Sequence, residues 1–586
     1  MSSYTPPIED MKFLLGSVLD YDARIAALPD WDEVTAEFAG EVLNEAGRFA
    51  ADKLAPLNLP GDEQGASLAD GLVTTPTGFP EAYHAYVEAG WASLSGSPEY
   101  DGQGLPRTLQ ILLDEIVSAA NVSFGLFPGL TSGAAEALAH HGSDELKAKW
   151  LPGLVTGTDC GAMALTEASA GTDLGLLRAR AEPVGDGSYK VTGTKIFISS
   201  GDQDFGNNVV HLVLARLPDA PAGVKGISMF LVPKFLKNED GSMGARNTMS
   251  VGALEHKMGI HAQPTCVMNY DEAIGWLVGE PGRGLNAMFT MMNKERLFVG
   301  IQGLGLAEAA VQKAADYARE RLQGRSADGS RAPVAIIEHA DVRKMLLTGR
   351  GFTEAARALA TWTAMQMDVA SRHPDAAVRA EADAMVALLT PVIKAAFTDM
   401  GFETTVIAQQ VFGGHGYIHE WGMEQFVRDA RITQIYEGTN GVQAMDLVGR
   451  KLALDGGAAF ERYVAGIEAD IAALAGNQLL ESHGEALADA IAALRRIVAM
   501  LVENKGDVSA LGAAATDTLR LFALVSLGWM WLRMMRAAQG LDTPLAQRKQ
   551  QVGAFFFARM LPQALALAAQ VEAGPATIMA MDAELF

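Results

Sequence analysis

Hydrophobic and polar positions follow two different periods along the chain, and the places where the period changes divide it. Apolar residues recur at helical spacing from Trp31 to Leu54 and from Leu109 to Ala120 (LQILLDEIVSAA), which predicts a helical region reaching about Pro152. From Asp159 to about Gly279 the pattern is strand-like. Ser188–Ile198 (SYKVTGTKIFI) alternates about Gly193, and Val209–Leu217 and Ile227–Val232 are β-rich runs closed by Pro218 and Pro233. Short strands with glycine and proline punctuation predict a compact β-barrel or sandwich. The helical period returns after Gly282, over Leu285–Arg321, Ile336–Met367, Ala376–Phe412 and Gly441–Leu454, segments long enough for a helical bundle. Gly456–Gly457 marks a break, and Ala/Leu-rich helices fill the rest. The expected organisation is α+β: an extension (1–36), a helical domain (37–158), a β-domain (159–280), a helical bundle (281–454) and an additional helical domain (455–586).

Composition narrows what such a chain can do. Of 586 residues, 49 % are hydrophobic and 20 % charged, which is a globular balance. Acidic residues outnumber basic ones 70 to 46, a net charge of −24 that opposes binding to a phosphate backbone. The two cysteines, Cys160 and Cys266, belong to no CxxC or Cys/His cluster, so neither a metal site nor a disulfide framework is expected, and a reducing, cytoplasmic setting fits. The N-terminus lacks the charged-then-apolar pattern of a signal peptide. The longest apolar run, Leu521 to Leu532 between Arg520 and Arg533, is too short to span a bilayer and is expected to be a buried helix.

Four segments carry chemistry. Ala164–Asp173 (ALTEASAGTD) presents the hydroxyls of Thr166, Ser169 and Thr172 beside Gly171, as a polar loop or a ligand loop. In Lys195–Gly201 (KIFISSG), Phe197 either packs in the core or shields a planar cofactor. Gln410–Tyr417 (QVFGGHGY) has three glycines in five positions, a turn that ends a helix or exposes amides to a pyrophosphate. In Val427–Gly441 (VRDARITQIYEGTNG), Glu437 follows the apolar Ile435–Tyr436 pair. A carboxylate so placed can serve as a base, or the segment can simply begin a helix capped by Thr439 or Asn440.

In order and content these four segments resemble the acyl-CoA dehydrogenase flavoprotein family from about Phe38 to Leu452. The resemblance implies an N-terminal helical domain, a middle β-barrel and a C-terminal four-helix bundle. It implies FAD as cofactor, an acyl-CoA thioester as substrate, an electron-transfer flavoprotein as acceptor and a homodimer. Thr166 would bond the flavin ring, and Thr172 would lie along the cofactor or the CoA arm. Phe197 and Ser199 would flank the isoalloxazine. Arg321 would reach a neighbouring subunit's FAD diphosphate, although Gly324–Arg325 replaces the family's usual aromatic–glycine pair after it. Gln410, Gly413 and Gly414 would contact the adenosine diphosphate half across the dimer, and Thr439 would also touch FAD. Arg296 and Gly438 would line the substrate. Glu437 would be the base that removes the α-proton while the β-hydride passes to flavin. The thioester oxygen would be stabilised by the Glu437 backbone N–H and a ribityl hydroxyl. Glu295, in NKER, occupies the position where some members carry the base instead, and otherwise reads as a helix-surface carboxylate or a partner of Arg296.

The segment before the core (PIEDMKFLLGSVL) and the helices after Leu454 resemble the larger bacterial branch of the family. Its implied substrates are fatty acyl-CoA or 3-(methylthio)propanoyl-CoA. An acyl-CoA oxidase and a non-dehydrogenating flavin-binding member are the alternatives on the same fold.

Overall fold

The computed structural model describes residues 4–326 and 332–586. They form two compact units: Met1–Arg48 with Pro106–Ala119 and Val299–Phe586, and Phe49–Leu105 with Ala120–Phe298.

The second unit is built on seven strands: β1 (Asp159–Ala164), β2 (Arg180–Pro183), β3 (Ser188–Ser199), β4 (Asn208–Arg216), β5 (Ile227–Pro233), β6 (Met249–Leu254) and β7 (Thr265–Val278). Five of them close a ring. β7 pairs with β3, β3 with β2, β2 with β4, β4 with β5, and β5 with β7. β6 joins β7 outside the ring, and β1 lies parallel to β4. The fold is therefore a barrel rather than an open sandwich. Its thinnest seam is between β2 and β4, which share one register pair, Arg180 with Arg216.

Alternation explains why β4 is apolar over most of its length, His211 apart. Val209, Val213 and Ala215 join a cluster drawn from all seven strands, while Val210, Leu212 and Leu214 join a second cluster with Leu130–Leu138, Trp150 and Met291 from the helices. Both faces of the strand are thus buried, and a period-2 strand buried on both faces reads as a continuous apolar run. The long helix Arg107–His141 carries one non-helical residue, Asn121 (φ −164°, ψ 95°). The Asn121 Oδ1 accepts the Phe124 N–H at 3.0 Å, so the second half of the helix starts with its own cap.

The first unit is helical. Its long elements are the Val299–Glu320 part of the Gly284–Glu320 helix, Ala340–Arg372 and Ala376–Phe412, followed by Glu424–Thr433 and Asn440–Gly449. Gly303 and Gly401 let two of these helices meet backbone to backbone: a Cβ on Gly401 would stand 2.5 Å from the Gly303 carbonyl oxygen. The expected helix over Gly441–Leu454 is shorter than the periodicity indicates, because Arg450 leaves helical geometry (φ −138°). After Leu454 come five further helices between Ala458 and Glu572. The Leu521–Leu532 run is buried within the Val508–Ala537 helix, with Trp531 donating to the Gly351 carbonyl at 2.8 Å.

Among the described residues, four helices are long and apolar enough to cross a membrane by length and composition. Their most apolar windows are 83, 78, 56 and 44 % buried within the protein.

A knot of buried charge ties this unit together. Arg357, on Ala340–Arg372, donates to Glu115, Asp10 (2.5 Å) and Glu308 (3.0 Å). Lys549, from the C-terminal helices, donates to Glu354 at 2.7 Å and also meets Asp10. Burial pushes the Glu308 carboxyl up, but the Arg350 and Arg357 guanidinium groups outweigh it and hold Glu308 well below the usual carboxylate range.

Candidate functional site

The residues singled out in the sequence fall into groups that each unit organises separately. In the second unit, the ALTEASAGTD loop and the KIFIS strand are locked together. The Ile196 N–H donates to the Thr166 carbonyl at 2.9 Å. Lys195, fully buried, donates to the Leu165 carbonyl at 2.9 Å and to Glu167 at 2.8 Å, and Glu167 also accepts the Arg178 and Ala179 amides. Burial raises the Glu167 carboxyl, but the Lys195 ammonium prevails and keeps it below its ordinary value. The pair fixes Thr166, which is half-buried, while Thr172 is exposed farther along the loop.

Phe197 lies in a register shift. Between Lys195 and Ile198 the β3 strand holds one residue more than its partner β7 does between Met268 and Cys266, and Phe197 takes φ +60°. A bulge of this kind re-aims a side chain. Here it leaves the ring 59 % exposed, so Phe197 is not a core residue. An exposed aromatic held at a strained backbone position has a face accessible to a planar ligand. Ser199 is half-buried in register with Thr265, and Ser200 (φ +54°) is bonded to Gln263.

Glu295 is only 2 % exposed, which corrects the reading of it as a surface carboxylate. It faces Gly133 on the Arg107–His141 helix, where a Cβ would come within 2.4 Å of its Oε1. The missing side chain at Gly133 makes its room, a signal that helical spacing alone does not carry. Arg296 is also buried, donating to Asn293 at 3.3 Å beneath the Phe289 ring.

In the first unit, Arg321, Gln410, Gly413 and Gly414 line one cavity of about 400 Å³. Arg321 is exposed, and side chains added at Gly413 (φ +58°) or Gly414 would meet nothing within 4 Å, so the backbone there is bare. Aromatic residues that the motif reading missed stiffen the wall. Tyr317 stacks on Phe412 (4.1 Å, 15°) and bonds His415 at 2.9 Å, and His415 stacks on Trp421 (4.3 Å, 10°). A guanidinium beside open glycine backbone suits a diphosphate.

Glu437 stands in a turn that departs from regular structure. It has φ +56°, and Gly438 follows with φ +85°. A non-glycine residue held there costs about 1–3 kcal/mol, so the surroundings must enforce it. Tyr436 bonds Gln302 on one side, and on the other the buried Lys394 donates to the Gly438 carbonyl at 2.8 Å. Thr439 caps the Asn440–Gly449 helix through the Val442 N–H, so its hydroxyl has a structural partner of its own. Among the described residues no cluster of three or more His, Cys, Asp or Glu could hold a metal ion.

Each unit by itself thus holds features that a flavin-dependent enzyme acting on acyl-CoA could use: Glu437 on a strained turn and a guanidinium-lined cavity in the first, a bulge-presented aromatic in the second. The chain matches family models described as acyl-CoA dehydrogenase N-terminal domain over residues 38–158, middle domain over 162–273 and C-terminal domain over 282–452. A fourth, described as acetyl-CoA dehydrogenase C-terminal like, covers 463–582. The chain belongs to the acyl-CoA dehydrogenase family of FAD-dependent oxidoreductases and carries that family's fold with an additional C-terminal domain.

It is 43 % identical over 567 residues to the 3-methylmercaptopropionyl-CoA dehydrogenase of Ruegeria pomeroyi, covering 95 % of this chain and 96 % of that protein. It is 31 % identical over 617 residues to the broad-specificity linear acyl-CoA dehydrogenase FadE5 of Mycobacterium tuberculosis, covering all of both. The acyl-CoA dehydrogenase of Bacillus anthracis, solved in complex with FAD, shares the fold with a TM-score of 0.75 at 20 % identity, over 96 % of this chain and 91 % of that one.

Proposed function

We propose that the protein oxidises an acyl-CoA thioester to the trans-2-enoyl-CoA, with Glu437 as the base that takes the α-proton and an electron-transfer flavoprotein as the final acceptor. The observation that carries the reading is the Glu437 turn, a carboxylate held at positive φ by anchors on both flanks. An enforced backbone fixes where the carboxylate stands, which is what proton abstraction from a weak carbon acid demands.

The residues fit FAD: Phe197 offers an exposed ring, Thr166 and Ser199 offer hydroxyls, and Arg321 with Gly413 and Gly414 offers charge and bare amides. Bound FAD would supply the acceptor for the β-hydride. The Glu437 backbone N–H would stabilise the thioester oxygen as charge develops there. Thr172, Arg296 and Gly438 are the proposed substrate contacts. In this reading the Arg321 cavity takes the diphosphate of a second copy's cofactor, so the working form is a homodimer.

The substrate is a fatty acyl-CoA or 3-(methylthio)propanoyl-CoA, the latter supported by the identity to the Ruegeria enzyme. Anaerobic bleaching of the bound flavin against a panel of acyl-CoAs of graded length, with 3-(methylthio)propanoyl-CoA among them, tests class and substrate together. Bleaching by at least one of them is expected, and a flavin that stays oxidised with every member would overturn the reading.

A further inference from the structure

Lys394 is a cation at an improbable place. It lies in the apolar stretch LLTPVIKAAF of the Ala376–Phe412 helix and is 0 % exposed. A buried ammonium is retained only where acceptors surround it. Its Nζ donates to the Gly438 carbonyl at 2.8 Å and to Asn440 Oδ1 at 2.9 Å. Asn440 in turn donates from Nδ2 to Thr398 at 2.9 Å and to Asp399 at 2.7 Å. Asp399 also accepts Gln434 Nε2 at 2.7 Å. One helix therefore grips the segment from 434 to 440 at three successive sites, and the strongest donor is spent on the carbonyl that follows Glu437.

That carbonyl is the weak point of the turn. Gly438 has no Cβ to restrict it, so its peptide can rotate unless something holds the oxygen. Rotation there would swing the neighbouring Glu437 and with it the direction of the carboxylate. The other flank needs no such aid, because Tyr436 is fixed through its own side chain to Gln302.

We infer that Lys394 is a positioning residue for the reaction: its ammonium, seated by Asn440, locks the Gly438 carbonyl and so holds the Glu437 carboxylate in the attacking geometry without touching substrate. The inference rests on Glu437 being the base. It predicts a loss falling mainly on the chemical step, because among the acyl-CoA and flavin contacts proposed above only Gly438 and the Glu437 N–H belong to this turn.

The experiment uses the FAD-loaded full-length protein and three variants, Lys394→Met, Asn440→Ala and Glu437→Gln. Lys394→Met is expected to slow anaerobic flavin bleaching on the order of 100-fold, while acyl-CoA affinity, read from the spectral change on binding, stays within about twofold. Asn440→Ala, which removes the acceptor that seats the ammonium, should move the same rate in the same direction and keeps the test open if Lys394→Met folds poorly. Lys394→Met placed on Glu437→Gln should add no further loss, as expected when one residue acts through the other.

Unchanged bleaching in Lys394→Met or Asn440→Ala, or a loss that adds fully to that of Glu437→Gln, overturns the positioning role and leaves the base assignment standing. A Glu437→Gln protein that bleaches at the parent rate overturns the base assignment, and this inference with it.

Discussion

Arg357 grips Glu115 with a fork: Nε donates to both carboxylate oxygens, at 2.9 and 3.1 Å, and Nη2 adds a third bond at 2.6 Å. Both side chains are almost wholly buried, and the same guanidinium also serves Asp10 and Glu308. Removing one partner of a buried ionic group leaves uncompensated charge, which costs far more than the pair itself contributes. Arg357→Leu is therefore expected to lose about 3–5 kcal/mol of stability, seen as an earlier denaturant midpoint. Glu115→Gln, which leaves the other two carboxylates paired, should lose distinctly less. Equal melting of Arg357→Leu and the parent would show that the knot is energetically idle.

His211 offers a pH test of the β-barrel. Its Nε2 faces the Gly201 carbonyl at 2.8 Å, so that nitrogen carries the hydrogen, and Nδ1 must accept from the Tyr270 hydroxyl at 2.7 Å. Burial pulls the folded imidazole down from 6.5 to about 4. A base with a depressed folded pKa contributes full stability above its unfolded pKa and loses it as pH falls towards the folded one. The second unit should weaken between pH 6.5 and 4, by about 3 kcal/mol in all at roughly 1.4 kcal/mol per pH unit. His211→Gln should flatten that part of the stability curve, and an unchanged slope would remove His211 as its cause.

The two candidate bases separate cleanly. Glu437→Gln is expected to keep bound yellow FAD and to lose at least roughly a thousandfold in acyl-CoA oxidation, the scale on which positioned acid–base groups act. Glu295→Gln, a change in a carboxylate packed against Gly133, should keep most activity. The reverse outcome would transfer the role to Glu295.

Phe197 is exposed where it stands, so truncating it should cost the bare protein little. Phe197→Ala is expected to leave thermal stability within about 0.5 kcal/mol and to raise the dissociation constant for FAD, measured by recovery of flavin fluorescence. A large loss of stability with unchanged flavin retention would assign the ring to folding.

What was readable in the sequence was what local spacing encodes. Alternation locates β3, and β-rich runs closed by proline locate β4 and β5, to within a residue or two, and the glycines of QVFGGHGY mark a turn that does end a helix and does line a cavity. The Arg107–His141 helix was legible only over Leu109–Ala120, because Asn121 breaks it and Pro128 disguises its continuation. Phe197 was ambiguous on the sequence because a bulge depends on the partner strand. Lys394 is illegible in the sequence for a similar reason: its partner lies 44 residues away, and nothing in a helical repeat says which loop a buried cation will meet. Glu295 reads as a surface residue in the sequence because the space it fills is an absence, at Gly133.

The charge knot also sets a timetable. Asp10 meets Arg357 347 positions later in the chain and Lys549 later still. At roughly 5–20 residues per second of synthesis, the first helix emerges from the ribosome roughly half a minute or more before its last cationic partner exists. Until Arg357 and then Lys549 are made, its carboxylate has neither of these cations to leave water for. The N-terminal segment is thus the first part of the first unit to be made and among the last able to settle, and the nascent chain must keep it soluble through the interval.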